Sequence, residues 1–250
     1  MTTVSRSPMA FQSARWVVLS GLVLVSICGC ATGPNVHPND PLEPFNRGVF
    51  GFNDAVDKAI FKPVATIYRD VTPTLVRAGV RNFLGNLDDA WSFVNSALQA
   101  KVRNAADNFM RFGVNTVMGL GGILDVASEM GIERHREDFG QTLGRWGIST
   151  GPYLVLPLLG PSTLRDALVI PVDMYGDIVS HVSDIPVRNS IKLVDRLETR
   201  AGLLSVTTTL DEAALDKYSF TRDVFLQRRS NAVFDGDSPG EDARGKPSTR

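Results

Sequence analysis

Apolar residues recur at intervals of three and four along most of this chain, the spacing that predicts amphipathic α-helices. The clearest such helix covers residues 102–118, where the polar residues lie off the apolar stripe. Because both kinds of residue keep helical spacing, we expect one apolar and one polar face. The apolar stripe comprises Val102, Ala105, Ala106, Phe109, Met110, Gly113, Val114 and Val117.

Further helices are predicted on both sides of this one. Thr72 followed by Pro73 is typical of a helix start, and Gly85 of a helix end. Asn86 is expected to cap a separate helix that ends near Leu98. Strong alternation with hairpin turns, which would predict a sheet, is missing. The expected fold class is therefore all-α, with other helices over roughly 43–61, 162–182, 187–204 and 210–232.

Two apolar stretches, residues 117–127 and 147–161, are broken by glycine and proline and are too short to span a membrane. The strongly charged stretch 133–138 lies between them. An apolar–charged–apolar order with glycines at the joints is typical of a hairpin or re-entrant segment. Gly121 and Gly122 are the predicted hinge, because glycine lets the backbone bend. A core segment followed by a surface loop is the alternative interpretation.

The N-terminus has the pattern of a bacterial lipoprotein. Residues 16–27 form a short apolar run after a segment with arginines and no acidic residue, which predicts a secretory signal over residues 1–29. The sequence Ile27-Cys-Gly-Cys30 resembles the lipobox, so we expect Cys30 to be acylated and to become the new N-terminus. An ordinary signal peptide with an incidental cysteine is the alternative. By resemblance to bacterial sorting rules, Ala31 favours the outer membrane.

Composition restricts the remaining possibilities. The 26 Lys and Arg residues are balanced by 27 Asp and Glu residues, so a basic nucleic-acid binder is not expected. The only cysteines are Cys28 and Cys30, which leaves no disulfide framework or cysteine metal site in the rest of the chain. Residues 30–41 are predicted to be a lipidated tether, and the polar residues 235–250 a disordered tail. The helical domain is expected to span residues 42–234.

One pattern suggests catalysis by a membrane-anchored serine lipase or esterase. Gly147-Ile-Ser149-Thr-Gly151 matches a nucleophile elbow, and Asp173 and His181 follow in the order of a hydrolase triad. The elbow needs a buried strand before the serine, but a polar, glycine-broken segment precedes it. Pro152 would disrupt the helix that should follow. We therefore favour no catalysis, with the lipase as the alternative.

A strip of basic residues leaves a second interpretation open. Arg188, Lys192, Arg196 and Arg200 recur at every fourth position and share one helical face. Such a strip could bind lipid phosphates. Neighbouring acidic residues favour the simpler interpretation, a solvated face. No phosphate-binding glycine loop of a nucleotide-driven motor occurs in the sequence.

Several long blocks, taken together, are similar to the MlaA/VacJ lipoproteins, and the resemblance covers about residues 40–230. The blocks are Asp40-Pro-Leu-Glu-Pro-Phe-Asn-Arg47, Phe83-Leu-Gly-Asn-Leu87, Arg111-Phe-Gly-Val-Asn-Thr-Val-Met-Gly-Leu-Gly-Gly-Ile-Leu-Asp-Val-Ala127, Asp138-Phe-Gly-Gln-Thr-Leu-Gly-Arg-Trp-Gly147, and Gly151-Pro-Tyr-Leu-Val-Leu-Pro-Leu-Leu-Gly-Pro-Ser-Thr-Leu-Arg-Asp166.

This resemblance implies an all-helical, ring-like protein embedded in the inner leaflet of a Gram-negative outer membrane. The family implies a passive channel that removes mislocalised phospholipid from the outer leaflet and passes it to a soluble periplasmic lipid carrier. It also implies association with a trimeric porin. Phe52 and Asn53 match the family segment that neighbours the channel and affects its gating. No cofactor or metal is implied.

Ring helices in a membrane need an apolar side for lipid and a polar side for the headgroups in transit. The helix at 102–118 could supply both. The predicted polar channel face consists of Asn104, Asp107, Asn108, Arg111 and Asn115.

Overall fold

The computed structural model describes residues 37–235 and is predominantly helical, which confirms the predicted all-α class. Cys30, the signal peptide, most of the tether and residues 236–250 lie outside the described residues. The helices are α1 (Glu43–Val56), α2 (Lys62–Val71), α3 (Thr74–Leu98), α4 (Val102–Val117), α5 (Val126–Glu129), α6 (Phe139–Arg145), α7 (Leu164–Gly176), α8 (Ile185–Gly202), α9 (Leu204–Ala213) and α10 (Lys217–Phe234).

The first two helices are joined without a break by a π-helical turn, Asp57–Phe61. The helix predicted over 43–61 therefore continues to Val71. Pro63 comes just after the π-helical turn, where the regular hydrogen-bond ladder of the α-helix is already interrupted. The turn carries Asp57, whose carboxylate oxygens accept hydrogen bonds from Arg200 at 2.6 and 2.7 Å. This contact fixes the α1–α2 arm against α8.

The predicted break at Gly85 is wrong, because α3 runs through it as one helix of 25 residues. A Cβ atom at Gly85 would lie 2.5 Å from Nη1 of Arg134. Glycine at this position leaves room for the Arg134 side chain, which reaches Asp89 at 2.9 Å. Asn86 caps no helix, since its amide donates to Thr116 Oγ1 across the α3–α4 pair.

The charged stretch 133–138 packs against α3 and α4 instead of forming a surface loop. Glu137 is buried and pairs with Lys101 at 2.9 Å. His135 donates its backbone N–H to Asn108, and its ring lies 3.2 Å from Asp107. The ion pair with Lys101 thus offsets the cost of burying Glu137, the one buried member of the stretch.

Residues 147–163 contain the one antiparallel pair of strands in the described part of the chain, a feature that the sequence analysis did not predict. Strand β1 (Tyr153–Leu156) pairs with β2 (Gly160–Thr163) in the register Tyr153 to Thr163. Tyr153 and Val155 are buried against Tyr218 of α10, with Phe50 of α1 packed alongside. The hairpin is therefore a small β-element inside an all-helical protein.

The C-terminal third follows the prediction only in outline. The helix predicted over 162–182 begins after β2, as α7, and is followed by a 3₁₀ turn, Ile178–His181. The helix predicted over 187–204 is confirmed as α8. The helix predicted over 210–232 is two helices, because the chain leaves helical geometry at Ala214 and α10 starts anew with Asp216 as its N-cap.

The distribution of polar and apolar residues is inverted relative to a water-soluble bundle. Amides and charged groups fill the space between α3, α4 and the 125–138 segment. Large apolar side chains face outward: Leu75, Val102 and Val117 are 85%, 79% and 82% exposed. The buried polar set includes Asn86, Asp89, Ser92, Asn95, Ser96, Gln99, Lys101, Asn108, Arg111, Asn115, Glu137, Gln141 and Thr142.

Candidate functional site

An apolar groove lies between the first half of α3 and α8. Its cavity volume is about 760 Å³. Ser190 of α8 is the one polar side chain among the residues that line it. A surface of this kind favours an apolar chain as its occupant. The lining residues are Leu75, Val76, Gly79, Val80, Phe83, Leu84, Ile123, Ser190, Ile191 and Val194.

The same face of α3 continues from the groove into a polar cleft. Phe83 lines the groove, whereas Leu87 and Trp91, one and two turns further along, line the cleft. The cleft has a cavity volume of about 180 Å³. Its lining residues are Leu87, Asp88, Trp91, Ser92, Arg136, Glu137, Asp138, Gln141 and Asp177. The groove and the cleft thus follow one another along one face of α3, and we call the two together the α3 path.

Charges of both signs surround the cleft. Asp88 is open to water inside the cleft, but protein surrounds it on most sides. Burial, followed by the carboxylate of Asp195, raises the pKa of Asp88 to about 6, and Asp177 adds to the shift while Arg136 opposes it. Lys192 donates to Ser180 at 2.8 Å and lies 3.5 Å from Asp177. The cleft thus offers carboxylates and cations, which suits a zwitterionic headgroup.

This raised pKa predicts a pH-dependent stability. Because the pKa of Asp88 in the folded protein lies above its ordinary value of 3.8, the stability that Asp88 contributes is fully present below pH 3.8 and is lost as the pH rises through about 6. We expect Asp88→Asn to raise the melting temperature at pH 7.5 and to change it little at pH 4.5. Thermal unfolding in mild detergent at both pH values measures this. An equal shift at both pH values would contradict it.

The wall of the cleft is held by Trp91. Its indole N–H donates to Asp173 at 2.9 Å, and the same carboxylate oxygen accepts the Phe139 N–H at 2.8 Å. A Cβ atom at Gly176 would lie 2.3 Å from the Trp91 ring. Close approach of α7 to α3 therefore depends on glycine at this position.

The candidate triad residues are not brought together by any of the hydrogen bonds in the described chain. Asp173 accepts hydrogen bonds from the Trp91 indole and the Phe139 N–H. The His181 ring bonds the Tyr175 carbonyl at 2.6 Å. Ser149 lines a separate cavity beside α10. It also follows helix α6 and precedes strand β1, the reverse of the strand–serine–helix order of an elbow. The geometry therefore does not support the lipase alternative.

The predicted channel face on α4 is mostly occupied by protein partners. Asn108 donates to the His135 carbonyl, and Asn115 donates to Asp125. Arg111 bonds the Ile132 carbonyl and lies 2.7 Å from Asp125. These three side chains are fully buried and hold the 125–135 segment. Asn104 and Asp107 are half-buried.

Gly121 and Gly122 lie in the turn after α4, separate from the β1–β2 hairpin. Both have positive φ, at 73° and 98°. A Cβ atom at Gly121 would meet open space, whereas one at Gly122 would lie 2.6 Å from Asn86 Cβ. Gly122 therefore permits close packing on α3 as well as the turn itself.

The first helix carries two asparagines, seven residues apart, that bind the β-hairpin. Asn46 donates to the Tyr153 carbonyl and accepts from the Val155 N–H, at 3.0 and 2.9 Å. Asn53 repeats the pattern with Leu156 and Leu158, at 2.9 and 2.8 Å. Phe52 is 53% exposed and takes no part in these bonds. Asn53 thus tethers the end of β1 to α1.

Removing this tether is expected to loosen the hairpin end. Asn53→Leu removes the partner of the Leu156 carbonyl and of the exposed Leu158 N–H, at a cost of about 0.5–1.5 kcal/mol. Amide hydrogen exchange at Leu158 should accelerate. Asn53→Asp keeps the acceptor for Leu158 and should accelerate exchange less. If exchange at Leu158 is unchanged in Asn53→Leu, the tether does not hold the hairpin.

The basic strip of α8 does not act as one surface. Arg200 is engaged by Asp57, and Lys192 by Ser180 and Asp177. No group of three or more His, Cys, Asp or Glu residues is placed to hold a metal ion within residues 37–235.

Sequence reasoning missed the acidic members of the cleft. The sequence analysis assigns no binding role to Asp88 and Asp177, which line the cleft, or to Asp195, which lies near Asp88. One signal was present: Asp88 lies on the same helix face as Leu84 and Trp91, next to apolar positions. An acidic group on that face indicates a polar space inside the fold, but not which elements enclose it.

Comparison with known proteins adds a further line of evidence about the family of this chain. The family model described as MlaA lipoprotein matches residues 38–232. The Escherichia coli K12 protein named intermembrane phospholipid transport system lipoprotein MlaA is 36% identical over 218 residues, 84% of this chain and 86% of that protein. An uncharacterized Rickettsia bellii protein is 33% identical over 78% of this chain and 76% of its own length.

A solved structure is also similar. It is described as the structural basis for maintenance of bacterial outer membrane lipid asymmetry. The two chains share 35% sequence identity with a TM-score of 0.70, and the match covers 78% of this chain and 98% of that chain. Sequence and fold therefore agree on the same group of proteins.

Proposed function

This chain belongs to the MlaA lipoprotein family, and on that premise we propose that it is a passive passage for phospholipids in the outer membrane. It removes mislocalised phospholipid from the outer leaflet and hands it to a soluble periplasmic lipid carrier, which maintains lipid asymmetry. It neither cleaves the lipid nor uses ATP. The driving force comes from differential lipid affinity and from downstream partners.

The inverted polarity of the fold is the observation that carries this proposal. Asn46, Asn95 and Asn108 are completely buried, while large apolar side chains of α2, α3 and α4 face outward. Exposed apolar surface of this extent is costly in water and favourable against lipid. A polar interior within an apolar exterior suits a protein that carries headgroups through a membrane.

Placement in a single leaflet fits the lengths of the elements. Within residues 37–235 no helix is both long enough and apolar enough to cross a bilayer. We therefore propose that acylated Cys30 anchors the chain at the periplasmic face of the outer membrane. The helices then embed in the inner leaflet as a ring.

The α3 path supplies a route for an amphipathic substrate. Acyl chains fit the apolar groove, and the headgroup fits the charged cleft that follows it on the same helix face. Phe52 and Asn53 would influence gating through the hairpin end that Asn53 holds. Gly121 and Gly122 would serve as the hinge beside the groove residue Ile123.

Two partners complete the proposal. A trimeric porin would pack against part of the exposed apolar perimeter. The soluble carrier would receive lipid on the periplasmic side. The porin and the carrier are both expected from family membership. The exposed apolar surface supplies an area for contact with the porin.

Phospholipid transfer from vesicles tests the function directly. Vesicles bearing the acylated protein should deliver radiolabelled phospholipid to a soluble carrier without nucleotide. Vesicles without the protein should not. Chemically unchanged lipid must be recovered in the carrier, since hydrolysis would restore the lipase alternative. Failure to transfer lipid in either direction would overturn the proposal.

A further inference from the structure

The polar cleft on α3 contains one carboxylate and one guanidinium that the chain does not pair. Asp88 and Arg136 both line the cleft, and neither forms an ion pair within 4.0 Å in the described range 37–235. A zwitterion bound in the cleft could therefore engage both of them. The other charged groups of the lining are paired, namely Glu137 with Lys101 at 2.9 Å, Asp138 with Arg229 at 2.6 Å and Asp177 with Lys192 at 3.5 Å.

A buried acceptor in the same cleft also lacks a partner. Gln141 is only 5% exposed, and its Oε1 atom has no hydrogen-bond partner within the described chain. Its Nε2 atom donates to the Arg136 carbonyl and to Asp138, both at 3.2 Å, which fixes the orientation of the amide. A buried acceptor without a donor carries a desolvation cost. Because Gln141 lines the cleft, a ligand bound there can supply the missing donor.

The surroundings of Asp88 favour a cation that carries N–H groups. Burial raises the pKa of Asp88, and the carboxylate of Asp195 adds to the rise while Arg136 opposes it. A cation beside Asp88 offsets the repulsion between the two carboxylates. A primary ammonium also has three N–H donors, one of which can bond Gln141 Oε1, whereas a trimethylated ammonium has none. The cleft therefore favours a primary amine.

Arg136 supplies the complementary group for a phosphate. Its guanidinium fork is suited to two oxygen atoms of one phosphate. In a phosphoethanolamine group the phosphate and the ammonium are joined by a short ethylene link, and Asp88 and Arg136 line one cavity of about 180 Å³. The two charges of such a group can therefore be bound in the cleft together.

The position of the cleft connects this headgroup to acyl chains. Asp88 lies one turn beyond Leu84, which lines the apolar groove. This spacing is about 6 Å along the helix axis. A lipid whose headgroup is in the cleft can therefore place its acyl chains in the groove.

We propose that the cleft selects phospholipids whose headgroup ends in a primary amine, with Asp88 and Gln141 binding the ammonium and Arg136 the phosphate. This inference rests on the proposed transport function and adds headgroup selectivity to it. The contacts are non-covalent: the ammonium donates one N–H to a carboxylate oxygen of Asp88 and another to Gln141 Oε1. Asp88 determines the specificity, because a glycerol headgroup supplies no cation for its carboxylate.

Binding of tail-matched lipids to the full acylated chain in mild detergent tests the selectivity. The probes are phosphatidylethanolamine, phosphatidylcholine, phosphatidylglycerol and the diacylglycerol with the same chains. At pH 7.5, above the Asp88 pKa of about 6, we expect phosphatidylethanolamine to bind about tenfold tighter than the other two phospholipids. Equal binding of all three phospholipids would overturn the selectivity and leave the transport proposal standing.

Two variants should separate the amine contact from the phosphate contact. Asp88→Asn should weaken phosphatidylethanolamine about tenfold without weakening phosphatidylglycerol, the effect of losing one charged hydrogen bond. Arg136→Gln should weaken all three phospholipids alike and leave diacylglycerol unchanged. Asp70→Asn removes an exposed carboxylate from α2 and should change nothing. If Asp88→Asn weakens phosphatidylethanolamine and phosphatidylglycerol equally, the carboxylate does not recognise the amine and the inference fails.

A soluble probe distinguishes a lipid headgroup from a free zwitterion. O-phosphoethanolamine lacks the acyl chains that the groove would bury, so it should compete only at concentrations far above that of phosphatidylethanolamine. Competition at equal concentration would overturn the assignment to a lipid. If the wild-type chain binds none of the lipids, the transport proposal and this inference both fail.

Discussion

Replacing Arg111 with leucine is expected to lower the free energy of unfolding by about 3–5 kcal/mol, the cost of breaking a buried ion pair from one side. The Arg111 guanidinium lies 2.7 Å from Asp125 and 3.4 Å from Asp89, and it donates to the Ile132 carbonyl. Leucine takes one arginine partner from the buried Asp89 and from the partly exposed Asp125. Denaturant unfolding in mild detergent measures the loss.

Arg103 on the same helix provides the control. Its side chain is 83% exposed and lies 3.8 Å from Asp107, so Arg103→Leu should change stability by less than about 0.5 kcal/mol. Arg111→Lys keeps the charge but loses the bidentate donors and should fall between the two. Equal stability of Arg111→Leu and Arg103→Leu would show that the network does not hold the 125–135 segment in place.

Filling the apolar groove is expected to produce the largest loss of transport. Ser190 is exposed, lines the groove and bonds only the Pro186 carbonyl through its side chain, so a tryptophan there should not disturb the core. A lipid chain would have to displace an indole that buries about 150–250 Å². We expect Ser190→Trp to lower phospholipid transfer about tenfold or more.

The neighbouring position separates blockage from a general effect of the added ring. Asn189 is exposed on α8 and does not line the groove. Asn189→Trp should therefore transfer lipid at the normal rate, provided that both variants reach the membrane in equal amounts. Normal transfer by Ser190→Trp would mean that lipid takes another route and that the groove is not part of the passage.

The periodic spacing of apolar residues was sufficient to predict α4 and α8 with nearly correct ends, because it depends only on which residues share a helix face. The same information misplaced the break at Gly85. Glycine is compatible both with a helix end and with a close contact inside a helix, and only the position of Arg134 decides between them. The β1–β2 hairpin was missed because its hydrogen-bond partners, Asn46 and Asn53, come from a helix a hundred residues earlier.

The sequence by itself determined the helical class, the lipoprotein-like N-terminus, the family resemblance and the two faces of α4. It did not determine which face of α4 turns inward. A hydrophobic stripe shows only that apolar residues lie together, and they can be buried by protein or by lipid. Tertiary structure decided this, because Asp89, Asp125 and the 132–135 backbone come together as partners for Arg111 and Asn108. Because the polar face of α4 finds hydrogen-bond partners inside the protein, its apolar face lies outside. Packing of α3 and α8 encloses the apolar groove between them.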